Sequence, residues 1–343
     1  MEKATVDALL TGMVQSEKGI SDLLFLEGKP PLVETYGQLH EFPIDTPEAV
    51  LSGQLIEEIS EHLIGGNERL LKAFAATGSC DTSYEVAGVV RLRVNIFKRN
   101  GSHAIVMRRF PSEIPTLDTM GLPPVFKEMV KEKNGIILVT GATGSGKTTT
   151  LAALINELNQ TQAIHILTLE DPIEFLHPSG RAAISQRELG KDFPTFADGL
   201  RVALRQAPKV ILVGEIRDRE TAHVAMEAGL TGHLVISTIH SGTAAGVAVR
   251  VLEMGIEPHV LTASLSCILA QRLSRRLDRP GRQVIAELLE MDDGLRRVIA
   301  GNPTRTDLEE AAVRGGMIPL REDAARLIRE GRIAPEEAAR VLG

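Results

Sequence analysis

Gly141-Ala142-Thr143-Gly144-Ser145-Gly146-Lys147-Thr148-Thr149-Thr150 is the stretch on which the reading of this chain turns. The apolar run Ile136-Ile137-Leu138-Val139 precedes it, and Leu151-Ala152-Ala153-Leu154-Ile155 follows with helical character. That is the strand-loop-helix setting a phosphate-binding loop requires. Gly141, Gly144 and Gly146 let the backbone turn its N–H groups inward around a phosphate chain, and the next helix starts there with its positive dipole end. Lys147 adds a charge, and the Thr148 hydroxyl suits Mg²⁺. Gly141 to Thr149 is therefore expected to bind a nucleoside triphosphate.

The strands around this loop carry the next candidates. Ile164-His165-Ile166-Leu167-Thr168-Leu169 is an apolar strand running into Glu170-Asp171-Pro172-Ile173-Glu174, and Val210-Ile211-Leu212-Val213 runs into Gly214-Glu215. Ligands of open α/β sheets sit at the carboxyl ends of the strands, so Glu174 and Glu215 are placed to polarise a water or a water-ligated Mg²⁺. Many phosphate-loop enzymes keep an aspartate where this chain has Gly214, which leaves the metal and water work to Glu215, Glu174 and Thr148. His233 and His240 bracket the strand HLVISTIH. Seven residues apart, they project to opposite faces of a regular strand and do not share a metal. His240 is at the carboxyl edge, within reach of a γ-phosphate; His233 suits a structural role.

Near-continuous apolar strands alternating with helical stretches indicate a parallel sheet covered on both faces, over residues 125–343, with a helical carboxyl-terminal part that includes Pro319 to Glu330 and Pro335 to Leu342. Residues 1–110 read as a smaller α+β domain. An amphipathic helix over 1–20, strands at Ser21 to Gly28 and Leu32 to Gly37, a turn before Leu39, and helices from Pro47 to Ile64 and Glu68 to Ala76 are expected. Val89 to Phe97 alternates with period two, and Asn100-Gly101 is a hairpin signal leading into Ala104 to Arg109. The Pro-rich stretch 111–124 between the domains is expected to be a linker. Arg91, Arg93 and Arg108 either solvate a sheet face or reach across an interface to phosphate.

Composition sets bounds on partners. The chain has 343 residues, a formal charge of −7, no Trp and 3% aromatic residues, so a surface devoted to single-stranded nucleic acid is not expected. Cys80 and Cys267 are isolated, which predicts neither a disulfide nor a zinc site. No run approaches the ~18 apolar residues of a membrane span, and the amino terminus has no signal-peptide pattern, so the expected location is cytoplasmic.

The succession GATGSGKTTT, TLEDPIEFLH, VGEIRD and TGHLVISTIH is similar to the Walker A, Asp, Walker B and His boxes of the type II secretion and type IV pilus ATPases. SDLLFLEGKPPLVETYG and RLRVNIFKRN resemble the amino-terminal domain of the pilus retraction members. The resemblance implies a RecA-like P-loop ATPase domain after a PAS-like α+β domain. It further implies a homohexameric ring, using ATP and Mg²⁺, that powers assembly or disassembly of pilin-like filaments. Such rings are cytoplasmic and peripheral at the inner membrane, through a platform protein. Residue by residue, Lys147 and Thr148 match the phosphate and Mg²⁺ positions, and Glu174 the Asp-box glutamate, which can also meet the metal through water. Glu215 matches the Walker B glutamate, and His233 and His240 the His box. Arg91, Arg93 and Arg108 match basic positions that contact nucleotide or a neighbouring subunit.

Three departures accompany the likeness. The usual Asp-Pro-Asp before the Walker B strand is Ala207-Pro208-Lys209 here. The extra amino-terminal domain and four-cysteine zinc module of the assembly and secretion members are missing, so the length suits the retraction type. The ending GMIPLREDAARLIREGRIAPEEAARVLG nevertheless looks more like the assembly and secretion type. Two other functions fit the same ATPase core: a nucleic-acid translocase, against which the acidic balance counts, and a ring that binds ATP without useful turnover.

Overall fold

The computed structural model describes residues 2–44, 50–301 and 303–343. The chain divides into two compact units, Met1–Ser112 and Glu113–Gly343.

In the first unit the elements run α1 (Lys3–Ser16), β1 (Ile20–Phe25), β2 (Leu32–Thr35), β3 (Gln38–Glu41), α2 (Gly53–Ile64), α3 (Glu68–Thr77), β4 (Ser79–Val86), β5 (Val90–Arg99) and β6 (Ser102–Arg109). The six strands form one antiparallel sheet in the order β3-β2-β1-β6-β5-β4. In β5 the expected alternation holds: Leu92, Val94 and Ile96 are fully buried beside Ile105 and Met107, against Leu10 and Met13 of α1 and Ile56 and Ile59 of α2. Asn100 and Gly101 take left-handed φ of 50° and 85°, the twist that matches a tight hairpin. Tyr36 and Gly37 make a second such turn, φ 52° and 83°, into β3, where the sequence predicts only a turn. The helix expected from Pro47 starts at Gly53 instead, because Ser52 caps it by accepting the Leu55 N–H at 3.2 Å. Pro47 itself lies outside the described residues.

The second unit runs α4 (Leu117–Met120), α5 (Pro124–Met129), β7 (Gly135–Thr140), α6 (Lys147–Thr161), β8 (His165–Glu170), β9 (Ala183–Glu188), α7 (Phe196–Ala203), β10 (Val210–Val213) and α8 (Arg219–Leu230). It continues through β11 (Leu234–Thr238), α9 (Ala244–Glu253), α10 (Pro258–Ser264), β12 (Leu265–Arg275), β13 (Arg282–Glu290), α11 (Asp293–Ala300), α12 (Arg305–Arg314), α13 (Leu320–Arg329) and α14 (Pro335–Leu342). The stretch 111–124 thus contains a helical turn, and Leu117 within it is buried with Phe126 in the second unit's core.

Seven strands form the sheet β13-β12-β7-β11-β10-β8-β9, parallel throughout except for β13 at one edge. Period two explains why it is apolar on both sides. Ile136 and Leu138 of β7 pack with Ala225 of α8 and Val247 of α9, while Ile137 and Val139 pack with Leu151, Leu154 and Ile155 of α6. This is the α/β architecture expected from the sequence, a P-loop unit preceded by a smaller α+β unit. β7 lies where the order of connection reverses, which in such sheets opens a crevice at the carboxyl edge. Among the described residues no helix is long and apolar enough to cross a membrane.

Candidate nucleotide site at the carboxyl edge

β7 delivers the loop 141–146 to that crevice. Gly141, Gly144 and Gly146 have φ of 149°, 77° and 89°, conformations that a side chain disfavours. At Gly141 space forbids one as well, since a Cβ would strike the carbonyl oxygen of Gln271 and the Ser145 side chain. Gly146 starts α6 without a side-chain cap, and the first N–H groups of a helix have no carbonyl of their own to bond. The N–H groups of Lys147, Thr148 and Thr149 are therefore available to an anion. Ser145 Oγ is buried with no hydrogen-bond partner among the described residues. Lys147 Nζ donates to the carbonyls of Gly141 at 2.9 Å and Ala142 at 3.1 Å, folding over its own loop. Burial lowers the Lys147 ammonium's pKa; the charge of Glu215 opposes that and that of Arg272 adds to it.

Because β7, β11, β10 and β8 are parallel neighbours, the residues that follow them share one edge. Glu215 leaves β10 held to β11 on both sides: Thr238 Oγ1 donates to the Gly214 carbonyl at 2.8 Å, and the Ile216 N–H to the Thr238 carbonyl at 2.8 Å. A Cβ on Gly214 would come within 3.2 Å of the Leu169 carbonyl, so this close strand packing is a physical reason for glycine there. The Glu215 carboxylate is only 15% exposed, with Arg217 Nε at 2.5 Å and His240 Nε2 at 3.8 Å from Oε2.

Glu174 lies further along the edge. Glu170, at the end of β8, accepts from Thr168 Oγ1 at 2.6 Å, from Gln186 Nε2 at 3.1 Å and from the Glu174 backbone N–H. Burial pushes the Glu170 carboxyl up, and the nearby Glu174 charge adds to the push. Gln186 of β9 also donates to the Phe175 carbonyl and accepts the His177 N–H, so it folds the loop 171–177 onto that strand. β11 and β10 separate β8 from β7, so the strands β8 and β7 themselves stand about 14 Å apart at ~4.8 Å per strand, and the loop 171–177 leaves from the carboxyl end of the farther one.

The structure separates the two histidines. His240 is at the carboxyl edge, whereas His233 precedes β11 at the amino edge, where its Nδ1 is 3.3 Å from the Ala228 carbonyl. The full length of β11 lies between His233 and this chain's own loop. Ala207-Pro208-Lys209 is also at the amino edge: Lys209 donates its N–H to the His165 carbonyl at 2.8 Å before β10 begins. The departure from Asp-Pro-Asp therefore does not touch the Glu215 end of the strand.

Arg93 and Arg108 belong to the first unit, directly opposite one another on β5 and β6, with Asp22 of β1 opposite Arg108. Arg108 Nε donates to the buried Asp22 at 2.8 Å while staying 72% exposed, and Arg93 Nε is 4.0 Å from Asp81. Arg91 stacks its guanidinium over Phe110, 5.1 Å from the ring centre.

Sequence reasoning missed the back wall of the site. Ala270 of β12 pairs with Thr140, so Gln271 and Arg272 emerge beside the loop. Fully buried Gln271 donates to the Ser145 carbonyl at 2.6 Å and accepts from Thr150 Oγ1 at 2.8 Å, bracing the end of the loop against the first turn of α6. Arg272 donates to the Gly242 carbonyl at 2.7 Å. The signal was Cys267-Ile268-Leu269-Ala270, an apolar run of strand length ending in two polar residues. It merges in the sequence with the helical pattern of α10.

Residues 82–280 match the family described as Type II/IV secretion system protein. The chain belongs to that family. Among its relatives, the twitching motility protein of Neisseria gonorrhoeae is 36% identical over 97% of this chain and 88% of its own length. The type IV pilus retraction ATPase PilT of Pseudomonas aeruginosa is 38% identical over 83% of this chain and 82% of its own. The crystal structure of the pilus retraction motor PilT with bound ADP matches with a TM-score of 0.87 at 34% identity, covering 98% of this chain and 96% of that one. The ATPase DotB of Legionella pneumophila matches at 0.83 and 30% identity, over 98% and 95%.

Proposed function

We propose that this chain is a motor ATPase that hydrolyses ATP to drive assembly or disassembly of pilin-like filaments. It works as a homohexamer on the cytoplasmic side of the inner membrane, held there by a platform protein. The observation that carries the reading is the joint placement, at one sheet edge, of a glycine-turned loop with free helix N–H groups and of Glu215 held between Arg217 and His240.

In this reading the N–H groups of the loop and Lys147 bind the β- and γ-phosphates, and Gln271 keeps the loop from yielding as charge shifts during transfer. Lys147 leaves the carbonyls of Gly141 and Ala142 to do so. Glu215 orients the attacking water and takes its proton, and His240 faces the γ-phosphate from the next strand. Among the described residues no three His, Cys, Asp or Glu side chains converge as a metal cage. That suits Mg²⁺, which keeps several waters; the Thr148 hydroxyl would hold it, with Glu215 and Glu174 reaching it through water. When bound, Mg²⁺ neutralises charge on the β- and γ-oxygens. Exposed Arg93 and Arg108 are the first-unit cations proposed to complete the site of a neighbouring subunit.

The test is Mg²⁺-dependent phosphate release by the purified chain, with Lys147→Ala alongside, and its mass in solution with ATP. A hexamer whose turnover fails in Lys147→Ala is expected. Wild-type turnover in a folded Lys147→Ala protein would overturn the assignment of the loop.

A further inference from the structure

Glu287 is a buried carboxylate in the middle of β13, 4% exposed and opposite Ala270 of β12. Its two oxygens serve two different helices. Oε1 accepts the Ala244 N–H at 2.6 Å and Oε2 accepts the Leu320 N–H at 3.1 Å. Each donor is the first residue of its helix, α9 and α13, where N–H groups lack partners and the dipole favours an anion. One side chain therefore ties together two helix starts that are far apart in sequence. Burial pushes its carboxyl up, while those two N–H bonds and Arg272 pull it down.

The α9 end of this tie leads to the nucleotide edge. Residues 240–243 immediately precede Ala244, and 241–243 are pinned at successive positions. Thr140, the last residue before the phosphate loop, bonds both ways with Ser241, accepting its N–H at 2.9 Å and donating to its carbonyl at 3.0 Å. Arg272 holds the Gly242 carbonyl at 2.7 Å, Thr243 caps α9 on the Gly246 N–H at 3.1 Å, and Glu287 holds Ala244. His240, at the head of this segment, lies 3.8 Å from Glu215. A shift of about 1 Å in the start of α9 would be passed to that pair, and such shifts change rates by about 100-fold.

The α13 end leads to the carboxyl-terminal helices. Leu320, Ala324 and Leu327 pack with Ile285 of β13 and with Ile333 and Ala338, and Asp323 Oδ2 accepts the Ala286 N–H at 3.0 Å. α13 is thus seated on β13 beside the carboxylate that also seats α9.

We propose that Glu287 is a positioning residue that ties the His240–Glu215 geometry to the seating of α13, so that nucleotide at the loop and the carboxyl-terminal helices respond together. The proposal rests on the nucleotide reading of the loop. It is tested by hydrogen exchange of the full chain with and without Mg²⁺ and a non-hydrolysable ATP analogue. In the wild type the analogue slows exchange at 141–150, at 240–250 and at 316–324. In Glu287→Gln, protection at 141–150 persists and the response at 316–324 is lost. Turnover of that variant falls by about 10- to 100-fold while the KM for ATP stays within about two-fold. Leu320→Pro deletes the second donor at a helix position that tolerates proline, and uncouples 316–324 with Glu287 still in place. A wild-type segment 316–324 that ignores the analogue, or one that still responds in Glu287→Gln or in Leu320→Pro, overturns the proposal. No protection at 141–150 in the wild type would instead overturn the nucleotide reading, and this proposal with it.

Discussion

Arg217 Nε lies 2.5 Å from Oε2 of Glu215, the oxygen that also faces His240 at 3.8 Å. The carboxylate is mostly shielded whereas the guanidinium is 68% exposed, so Arg217 can swing away while Glu215 stays. Glu215→Gln keeps the shape and loses the charge. Single-turnover hydrolysis is expected to fall by about 10² to 10⁴-fold, with nucleotide affinity within a few-fold of the wild type. Arg217→Ala should cost less, because it removes a partner and not the proposed base. Rapid-quench hydrolysis paired with fluorescent-nucleotide binding checks both. Weakened binding with an unchanged single-turnover rate would make Glu215 a ground-state contact.

Gln271 makes a different prediction, one about rigidity. Gln271→Ala leaves the Ser145 carbonyl and the Thr150 hydroxyl without their partner in a buried place, at a cost of about 1–3 kcal/mol. Thermal unfolding without nucleotide should drop by several degrees, and ADP should rescue less of the loss than it adds to the wild type. An unchanged melting temperature together with unchanged ADP affinity would show that the loop holds its shape unaided.

What the sequence discloses about this site follows from which residue types have substitutes. A loop turning through three left-handed glycines before a lysine has few alternatives, and an acid after a fully apolar strand marks the carboxyl edge, so the placement of Lys147, Thr148, Glu174 and Glu215 past the carboxyl ends of their strands is legible. Gln271 is not, because its contact with Thr150 spans 121 residues of chain and depends on β12 lying next to β7. His233 and His240 are told apart already in the sequence, because one precedes and the other follows the apolar strand between them, and the structure places them at its opposite ends. Strands β3, β4 and β9 escaped for a common reason. β3 is exposed at every position, and β9 buries only its last residue, so neither carries the apolar alternation by which strands are recognised. In β4 the inward Cys80 and Thr82 make that alternation weak.

Arg108 pairs with buried Asp22 yet keeps most of its surface in solvent, an arrangement that orients a cation without consuming it. If such arginines complete a neighbour's site, Arg108→Ala should slow hydrolysis while leaving the melting temperature within a few degrees. Stabilising charge in the transition state by an added arginine is worth about 10³ to 10⁵-fold in GTPases. Mixing Arg108→Ala with Lys147→Ala subunits should then restore activity above that of either alone, since some intact loops meet intact arginines. A chain that remains monomeric with ATP at high concentration and turns over at full rate would rule the shared site out.

His177 gives the loop 171–177 a pH dependence of its own. Its Nδ1 is buried without a hydrogen-bond partner among the described residues, and its backbone N–H is tied to Gln186. Burial pulls the imidazole pKa down from 6.5 to about 4, because the charged form has lost water. Between those values the unfolded chain binds the proton that the folded chain refuses. The stability this represents is fully present above pH 6.5 and is lost as pH falls towards 4, with a ceiling of about 3 kcal/mol. Glu170 acts in the opposite sense, since its raised carboxyl pKa favours the fold as pH falls through its titration. The two are separated by comparing wild type with His177→Gln, which leaves Glu170 in place. Denaturant unfolding at pH 7 and pH 5 should show a steeper loss in the wild type than in His177→Gln. Parallel losses in the two proteins would mean that the His177 ring meets water in the folded state.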